Sequence, residues 1–466
     1  MLRSRIAAFV FLATLLFLSA CGSNQNNNLT DIPPGMSAIS FNMSDAPPAG
    51  VTVLSFEVTV NSASLQSGVG SVSLLQAPME VEVKKLETET AFLNTSNVPP
   101  GTYNSISVSF SNPELTILNN SGSAIGSCAN GSICELKPPI GTGTVNFSGS
   151  PFPITIMAGQ SMGLLLDLDL NNSIQANLSI NPAVSFTLRP ATQPTGQLEE
   201  IEDIFGKVTG KDVANNQFTL EVRGGQSLTI KVDGNTEFKD FDGMGMQNSF
   251  ASLATGQAVE VDLRLMAGGM LLAKKVELEE EEENEEELEG TVVSVDLTTT
   301  PPTFKMVVMD EVPDIPGLDV GNLVTVTVQN GAEFRIKEGD LTVSSSLFFA
   351  TPADLMAGQN IQVRLRSGSS GMSVLTDRVR LRMSRFTAKV KSKSGDIFIV
   401  DNLPSLFTSA NPPVNEIEVR TSAQTNFNNV GNVGALNVGN TVSLRGLLFK
   451  TAGDPVLVAS KVRLRQ

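Results

Sequence analysis

Apolar and polar residues alternate with a period of two through almost every apolar segment, as in Ile106-Ser107-Val108-Ser109-Phe110, Leu166-Asp167-Leu168-Asp169-Leu170 and Val324-Thr325-Val326-Thr327-Val328. This period puts successive side chains on opposite faces and predicts half-buried strands. The segments break at Asp233-Gly234, Asn330-Gly331 and Pro99-Pro100-Gly101. Gly and Asn tolerate positive φ there and Pro fixes φ, so these are turns. No long amphipathic helix is legible, and the chain is predicted to be all-β.

A chain of 466 residues predicts about three domains at roughly 150 residues each. The strands from Met36 onward, with their Pro- and Gly-rich turns, predict an N-terminal antiparallel β-sandwich over residues 36–192. Its landmarks are Ser44-Asp45-Ala46-Pro47, Pro100-Gly101-Thr102-Tyr103, Ala158-Gly159-Gln160 and Phe186-Thr187-Leu188-Arg189-Pro190. In that order they resemble the family called domain of unknown function 4382, which is found in envelope lipoproteins and brings no assigned functional residue with it.

The remainder repeats itself. Leu253-Ala254-Thr255-Gly256-Gln257-Ala258-Val259-Glu260-Val261 returns as Leu355-Met356-Ala357-Gly358-Gln359-Asn360-Ile361-Gln362-Val363 and as Leu436-Asn437-Val438-Gly439-Asn440-Thr441-Val442-Ser443-Leu444. Each is preceded by a Phe, at 238, 334 and 427, and followed by a closing strand around Val276, Val379 or Val462. The spacing is too wide for a solenoid, so the units are three small β-barrel-like repeat domains at 200–278, 288–383 and 385–466. They resemble the family called domain of unknown function 5666. The third departs most, with Arg385-Phe386-Thr387-Ala388 where the others open on Gly206 and Gly290. A Gly-marked bend and about six strands per copy point to a small barrel, of oligonucleotide/oligosaccharide-binding type. Between the first two copies, at 279–287, lies the core of a run with Glu at 277, 279–283, 285–287 and 289. Such a run repels itself and reads as a solvated acidic linker.

Arg3 and Arg5 precede an apolar run from Ile6 to Leu18, the pattern of a secretory signal and too short for a permanent span. It ends in Leu18-Ser19-Ala20-Cys21, which resembles the lipobox of bacterial lipoproteins. The resemblance implies removal of residues 1–20 and lipidation of the Cys21 thiol. Two or three acyl chains, at about 0.8 kcal/mol per buried CH₂, then hold the protein on a membrane without a transmembrane helix. Gly22 after the cysteine resembles the default for outer-membrane sorting, so the expected location is the envelope of a diderm bacterium. Residues 21–35, opening with Gly22-Ser23-Asn24-Gln25-Asn26-Asn27-Asn28, read as a flexible tether. In an oxidising compartment the remaining cysteines, Cys128 and Cys134, are expected to form a disulfide that pins a small loop, contributing about 2 kcal/mol. Their spacing is too wide for a CxxC redox site.

Composition removes several kinds of chemistry. With no His, no Trp and one Tyr, Tyr103, the chain cannot build a Ser-His-Asp triad, a Cys-His dyad or a His-ligated zinc site. The net charge of −16 argues against nucleic acid as a partner. Charge is also uneven: from Gln359 onward there are 15 Lys and Arg against 6 Asp and Glu, so the acidic excess lies in the earlier part.

Paired carboxylates occur at Asp167/Asp169 and Asp240/Asp242, but the first pair shares the polar side of an alternating strand, which is the mark of a solvated face. Asp240-Phe241-Asp242-Gly243 lacks the ordered ligand series of a calcium loop. Arg378-Val379-Arg380-Leu381-Arg382 and Lys461-Val462-Arg463-Leu464-Arg465 line up cations on one strand face, read as a solvated or edge strand. The functional alternative is contact with anionic glycans, lipid headgroups or the chain's own Glu run. One Tyr and no Trp furnish little of a stacking platform for single strands, and of the 24 Phe those at alternating positions such as Phe218, Phe304 and Phe398 read as core. No catalytic residue, metal ligand or cofactor is therefore assigned. The expected function is a lipid-anchored envelope protein acting as a multivalent binding or scaffolding module, with envelope proteins or anionic glycans as partners. The alternatives are a carbohydrate-active enzyme working with carboxylates alone, and a purely structural spacer.

Overall fold

The computed structural model describes residues 35–46, 51–191, 197–222, 226–241, 245–279, 286–312 and 315–465. The fold is all-β. The N-terminal domain contains β1 (Ser37–Ala46), β2 (Thr52–Ser67), β3 (Gly70–Ser73), β4 (Met79–Glu82), β5 (Ala91–Val98), β6 (Gly101–Tyr103), β7 (Ser105–Leu118), β8 (Ile133–Leu136), β9 (Thr144–Phe147), β10 (Ile154–Ile156), β11 (Ser161–Asp169) and β12 (Val184–Pro190). One sheet runs β12-β11-β1-β5 and faces a second, β3-β2-β7-β8, with β4 on β2 and β9 on β7. Phe41, Met43, Phe56, Val60, Leu65 and Ile106 fill the space between them, each at most 1% exposed. The sandwich is not wholly antiparallel as expected, because β1 and β11 pair in parallel from Ala38↔Ser161 to Ala46↔Asp169. The chain leaves β1 for the opposite sheet and returns so that β11 enters from the same end.

Three barrels follow. The first holds β13 (Gln197–Asp212), β14 (Gln217–Val222), β15 (Ser227–Lys231), β16 (Glu237–Lys239), β17 (Ala258–Met266) and β18 (Leu271–Leu278). The second holds β19 (Glu287–Asp296), β20 (Thr303–Val312), β21 (Leu323–Ile336), β22 (Asn360–Leu365) and the first half of β23 (Ser373–Ser394). The third holds the second half of β23 with β24 (Ile397–Asp401), β25 (Ile417–Arg420), β26 (Asn426–Asn428), β27 (Thr441–Phe449) and β28 (Val456–Leu464). The boundary placed at residue 384 thus falls inside one continuous strand that serves two barrels.

Each barrel closes in the same order. In the second, β19 pairs with β20, β20 with β21, β21 in parallel with β23, β23 with β22, and β22 back with β19. The first closes through the parallel pair β15/β18 and the third through β25/β28. A small five-stranded barrel with one parallel pair is the arrangement of the oligonucleotide/oligosaccharide-binding fold. The repeated Phe marks a second stretch of parallel pairing, with Phe238 opposite Val276, Phe334 opposite Val379 and Phe427 opposite Val462. Phe218, Phe304 and Phe398 are core residues, each 1% exposed.

The repeated Leu-x-x-Gly-Gln/Asn motif is a turn. Gly256, Gly358 and Gly439 hold φ of +97°, +88° and +88°. The following amide oxygen accepts from the backbone three residues earlier: Ala254 N to Gln257 Oε1 at 2.7 Å, Met356 N to Gln359 Oε1 at 2.8 Å and Asn437 N to Asn440 Oδ1 at 2.7 Å. The glycine N–H then donates to the opening strand, at Val208, Val292 and Val390. The same turn recurs unforeseen at Leu318-Asp319-Val320-Gly321-Asn322, where Asp319 N donates to Asn322 Oδ1 at 2.9 Å and Gly321 N to Val308 O. It recurs again in the sandwich, where Met157 N donates to Gln160 Oε1 at 3.2 Å.

Candidate functional site

The domains do not hang as separate beads. The polar faces of the closing strands meet one another and the sandwich, and their charges pair across the interfaces. Arg378 and Arg380 are only 5% and 6% exposed and Lys461 only 4%, so the solvated-strand reading of these cations is overturned. The ends of the acidic run are not solvated either: Glu277 and Glu279 are buried, and Glu287 and Glu289 stand in β19 facing arginines. The run's central residues, 280–285, lie outside the described residues. The basic strands pair with the chain's own glutamates, one of the contacts considered for them.

Between barrels 1 and 2 the charges form a continuous chain. Lys275 Nζ lies 3.4 Å from Asp262 and 3.1 Å from Glu277, and Lys337 Nζ lies 2.5 Å from Glu277 and 3.2 Å from Glu279. Arg380 reaches Glu279 at 3.4 Å. Arg382 reaches Glu260 at 2.5 Å, Glu289 at 3.2 Å and Glu279 at 3.6 Å. Within barrel 2, Arg378 pairs with Glu287 at 2.7 Å. Barrel 3 joins through Arg445 and Lys461, 3.3 and 3.2 Å from Glu202 of barrel 1. The sandwich joins through Glu89, which receives Arg385 at 2.5 Å and Arg445 at 3.2 Å, and through Lys85, 2.8 Å from Asp310. Buried charges are tolerated only when so paired.

These contacts surround a cavity of about 130 Å³ to which all four domains contribute, Glu89, Glu202, Asp262, Glu289, Arg382 and Arg445 among its walls. Electrostatics within it are uneven. Burial pushes the Asp262 carboxyl up to about 7, since Lys275 offsets only part of that cost and Glu202 and Glu260 add repulsion. Burial would also raise Glu260, but Arg382, Lys337 and Lys275 outweigh it and bring the carboxyl down to about 2. Glu202 likewise falls to about 2, its burial outweighed by Lys461 and Arg445. Burial disfavours charge on Lys337, yet Glu279, Glu277 and Glu260 raise its ammonium above the ordinary value.

Cys21 lies outside the described residues. Cys128 and Cys134 form the expected disulfide, with Cα atoms 5.8 Å apart. Asp167 and Asp169 do not converge on a shared site: Asp169 caps a short helix, α1 (Leu170–Ser173), accepting from Asn172 N at 3.2 Å, while Asp167 acts electrostatically on Arg463. Asp240 sits 3.9 Å from Lys337 at the edge of the ionic chain, and Asp242 lies outside the described residues. Among the described residues no group of three or more Cys, Asp or Glu is placed to hold a metal ion. Glu89, Glu202, Glu260, Asp262, Lys275, Lys337 and Arg385 were not singled out from the sequence.

The fold thus defines a sandwich joined to three five-stranded barrels. Residues 36–190 match the family described as Domain of unknown function (DUF4382), and residues 205–277, within barrel 1, match Domain of unknown function (DUF5666). No curated protein matches the chain. The solved structure "drosophila Unr CSD456" is similar at 8% identity with a TM-score of 0.13, over 57% of this chain and 97% of that one.

Proposed function

We propose that this is a lipid-anchored envelope protein without a catalytic site of its own, in which a sandwich and three barrels of DUF5666 type form one binding or scaffolding body. The observation that carries the reading is the ionic chain: the charged side chains capable of acid–base chemistry are engaged with one another across domain boundaries. Such pairing fixes orientation between domains more than it adds stability. The body is then a rigid presenter of surfaces rather than beads on a string. The cations that suggested anionic glycans are mostly paired inside it, which supports envelope proteins as partners of its outer surface.

One observation favours the enzyme. Asp262 near 7 beside Glu260 near 2 is the pattern of a proton donor next to a charged carboxylate. The non-enzymatic reading is supported by the space available, since a cavity of about 130 Å³ falls below the roughly 300–1,000 Å³ of sites that take small molecules.

The anchor is tested by fractionating cells that express the wild type or Cys21→Ala and shaving intact cells with protease. A membrane-bound, shaved wild type and a soluble variant support a surface lipoprotein. A membrane-bound but protected wild type places the partners in the periplasm. If Cys21→Ala fractionates as the wild type does, the lipoprotein reading fails.

A further inference from the structure

The ends of the sandwich differ. The chain enters at one end, where Ser37 begins β1, and the opposite end carries the loops after β7 and β11. These, the loop from Asn119 to Ser132 and the segment around α1, face each other across a groove of about 530 Å³. Its volume falls within the range of ligand sites.

Its chemistry is the reverse of the ionic cavity's. Among the described residues no charged side chain lines it, in a protein of net charge −16. The walls carry Ser121, Ser123, Asn171, Gln175 and Asn177, neutral hydroxyl and amide groups of which Ser121 Oγ, Gln175 Nε2 and Asn177 Oδ1 already bond within their own loops, leaving Gln175 Oε1 and Asn177 Nδ2 for a ligand. The floor is aliphatic, from Ile125, Ile174 and Leu178. Both walls are held in place. The Cys128–Cys134 disulfide closes one, where Asn119 Nδ2 also donates to the carbonyls of Ser123 and Cys128 at 2.9 Å each. On the other, Leu178 sits at φ +65° while 7% exposed, a conformation costly for a branched apolar residue and imposed by its surroundings.

Uncharged donors and acceptors above an aliphatic floor match a ring with hydroxyls at its edge and C–H groups on its face. A charged polymer finds no counter-ion in the groove and meets a repelling net charge if anionic. Loops clustered at one end of a β-sandwich, rich in Ser, Gly and Asn, are an established way of building adaptable polar contacts.

We propose that the groove between Ala124 and Ala176 binds a neutral saccharide. The site depends neither on lipidation of Cys21 nor on the ionic chain, so its failure leaves those readings standing.

The test uses the full-length protein in a polyoxyethylene detergent, which avoids sugar-headed micelles, titrated calorimetrically with maltohexaose, cellohexaose, mannohexaose and chitohexaose. At least one is expected to bind. Ala176→Trp and Ala124→Trp, both at exposed positions, fill the groove from opposite walls and are expected to weaken binding at least tenfold with an unchanged melting temperature. Val213→Trp, on an exposed hairpin of barrel 1, is expected to leave binding intact. Replacing both Cys128 and Cys134 by Ser should weaken binding by loosening one wall. The proposal is overturned if none of the four sugars binds at millimolar concentration, if both Trp variants bind like the wild type, or if only polygalacturonate, an anionic glycan, binds.

Discussion

Arg382 Nη2 meets Glu260 Oε2 at 2.5 Å across 122 residues of chain, joining the closing strand of barrel 2 to β17 of barrel 1. Both side chains are largely buried, and Arg382 also serves Glu279 and Glu289. Removing one member of such a group leaves the others charged and desolvated, at a cost of roughly 3–5 kcal/mol. Glu260→Gln is expected to fall at the lower end, because Arg382 keeps two carboxylates. Arg382→Met is expected to be worse, because it leaves three carboxylates facing one another. Urea unfolding midpoints decide the order, and equal midpoints for the two variants would contradict it.

Two neighbouring carboxylates give stability opposite slopes with pH. Asp262, near 7 when folded against 3.8 when exposed, contributes stability that is full below about 3.8 and lost as pH rises through 7. Glu260, near 2 when folded against 4.5, contributes stability present above about 4.5 and lost as pH falls toward 2. The two slopes cancel between about pH 3.8 and 4.5, so maximum stability is expected there, with a fall as pH rises from 4.5 to 7. Asp262→Asn should abolish most of the fall in melting temperature between pH 5 and 8 and leave the acid side unchanged. An unchanged alkaline slope would show that Asp262 is ionised at little cost.

The strands, the sandwich, the disulfide and the three repeats were legible because period-two alternation and turn residues are local signals. The ionic chain was not, although its trace is there: equivalent positions of two copies carry opposite charge, Glu277 and Glu279 in the first against Arg380 and Arg382 in the second. Charges on alternate strand positions look the same whether they face water or a partner domain. Only the sign reversal between copies, together with the basic excess after Gln359, marks surfaces made to meet each other. The parallel β1/β11 pair was hidden for another reason, since pairing partners far apart in sequence leave no local pattern. The strand shared by barrels 2 and 3 was hidden because a boundary inside continuous alternation has no turn to mark it.

Gly206 and Gly290 open their barrels where the strand bends sharply and backbone crosses close by. A Cβ on Gly290 would lie 2.3 Å from the Val307 carbonyl oxygen, and one on Gly206 2.5 Å from that of Glu221. Barrel 3 has Ala388 at the equivalent place, opposite Val442 as Gly290 is opposite Ile361. Gly290→Ala is expected to destabilise by roughly 1–3 kcal/mol through overpacking against backbone. Ala388→Gly should cost only about 0.5–1 kcal/mol, the entropic penalty of glycine in a strand. Thermal denaturation of both variants tests the difference, and a harmless Gly290→Ala would mean that the bend is softer than the structure implies.

The turn glutamines separate a local role from a role between domains. Gln257 accepts from Ala254 N within its own turn and is partly exposed. Gln359 makes the same bond to Met356 N, but its Nε2 also donates to Leu448 O of barrel 3 at 3.0 Å, and the side chain is fully buried. Gln257→Ala therefore removes one half-solvated bond and is expected to cost about 1 kcal/mol. Gln359→Ala strands a buried N–H and a buried carbonyl and is expected to cost roughly 2–4 kcal/mol. Gln359→Glu keeps the acceptor but replaces the donor with a second oxygen facing Leu448 O, so it should be no better than alanine. If Gln359→Ala and Gln257→Ala unfold at the same urea concentration, the bond to barrel 3 contributes nothing and the turn alone sets the preference for glutamine.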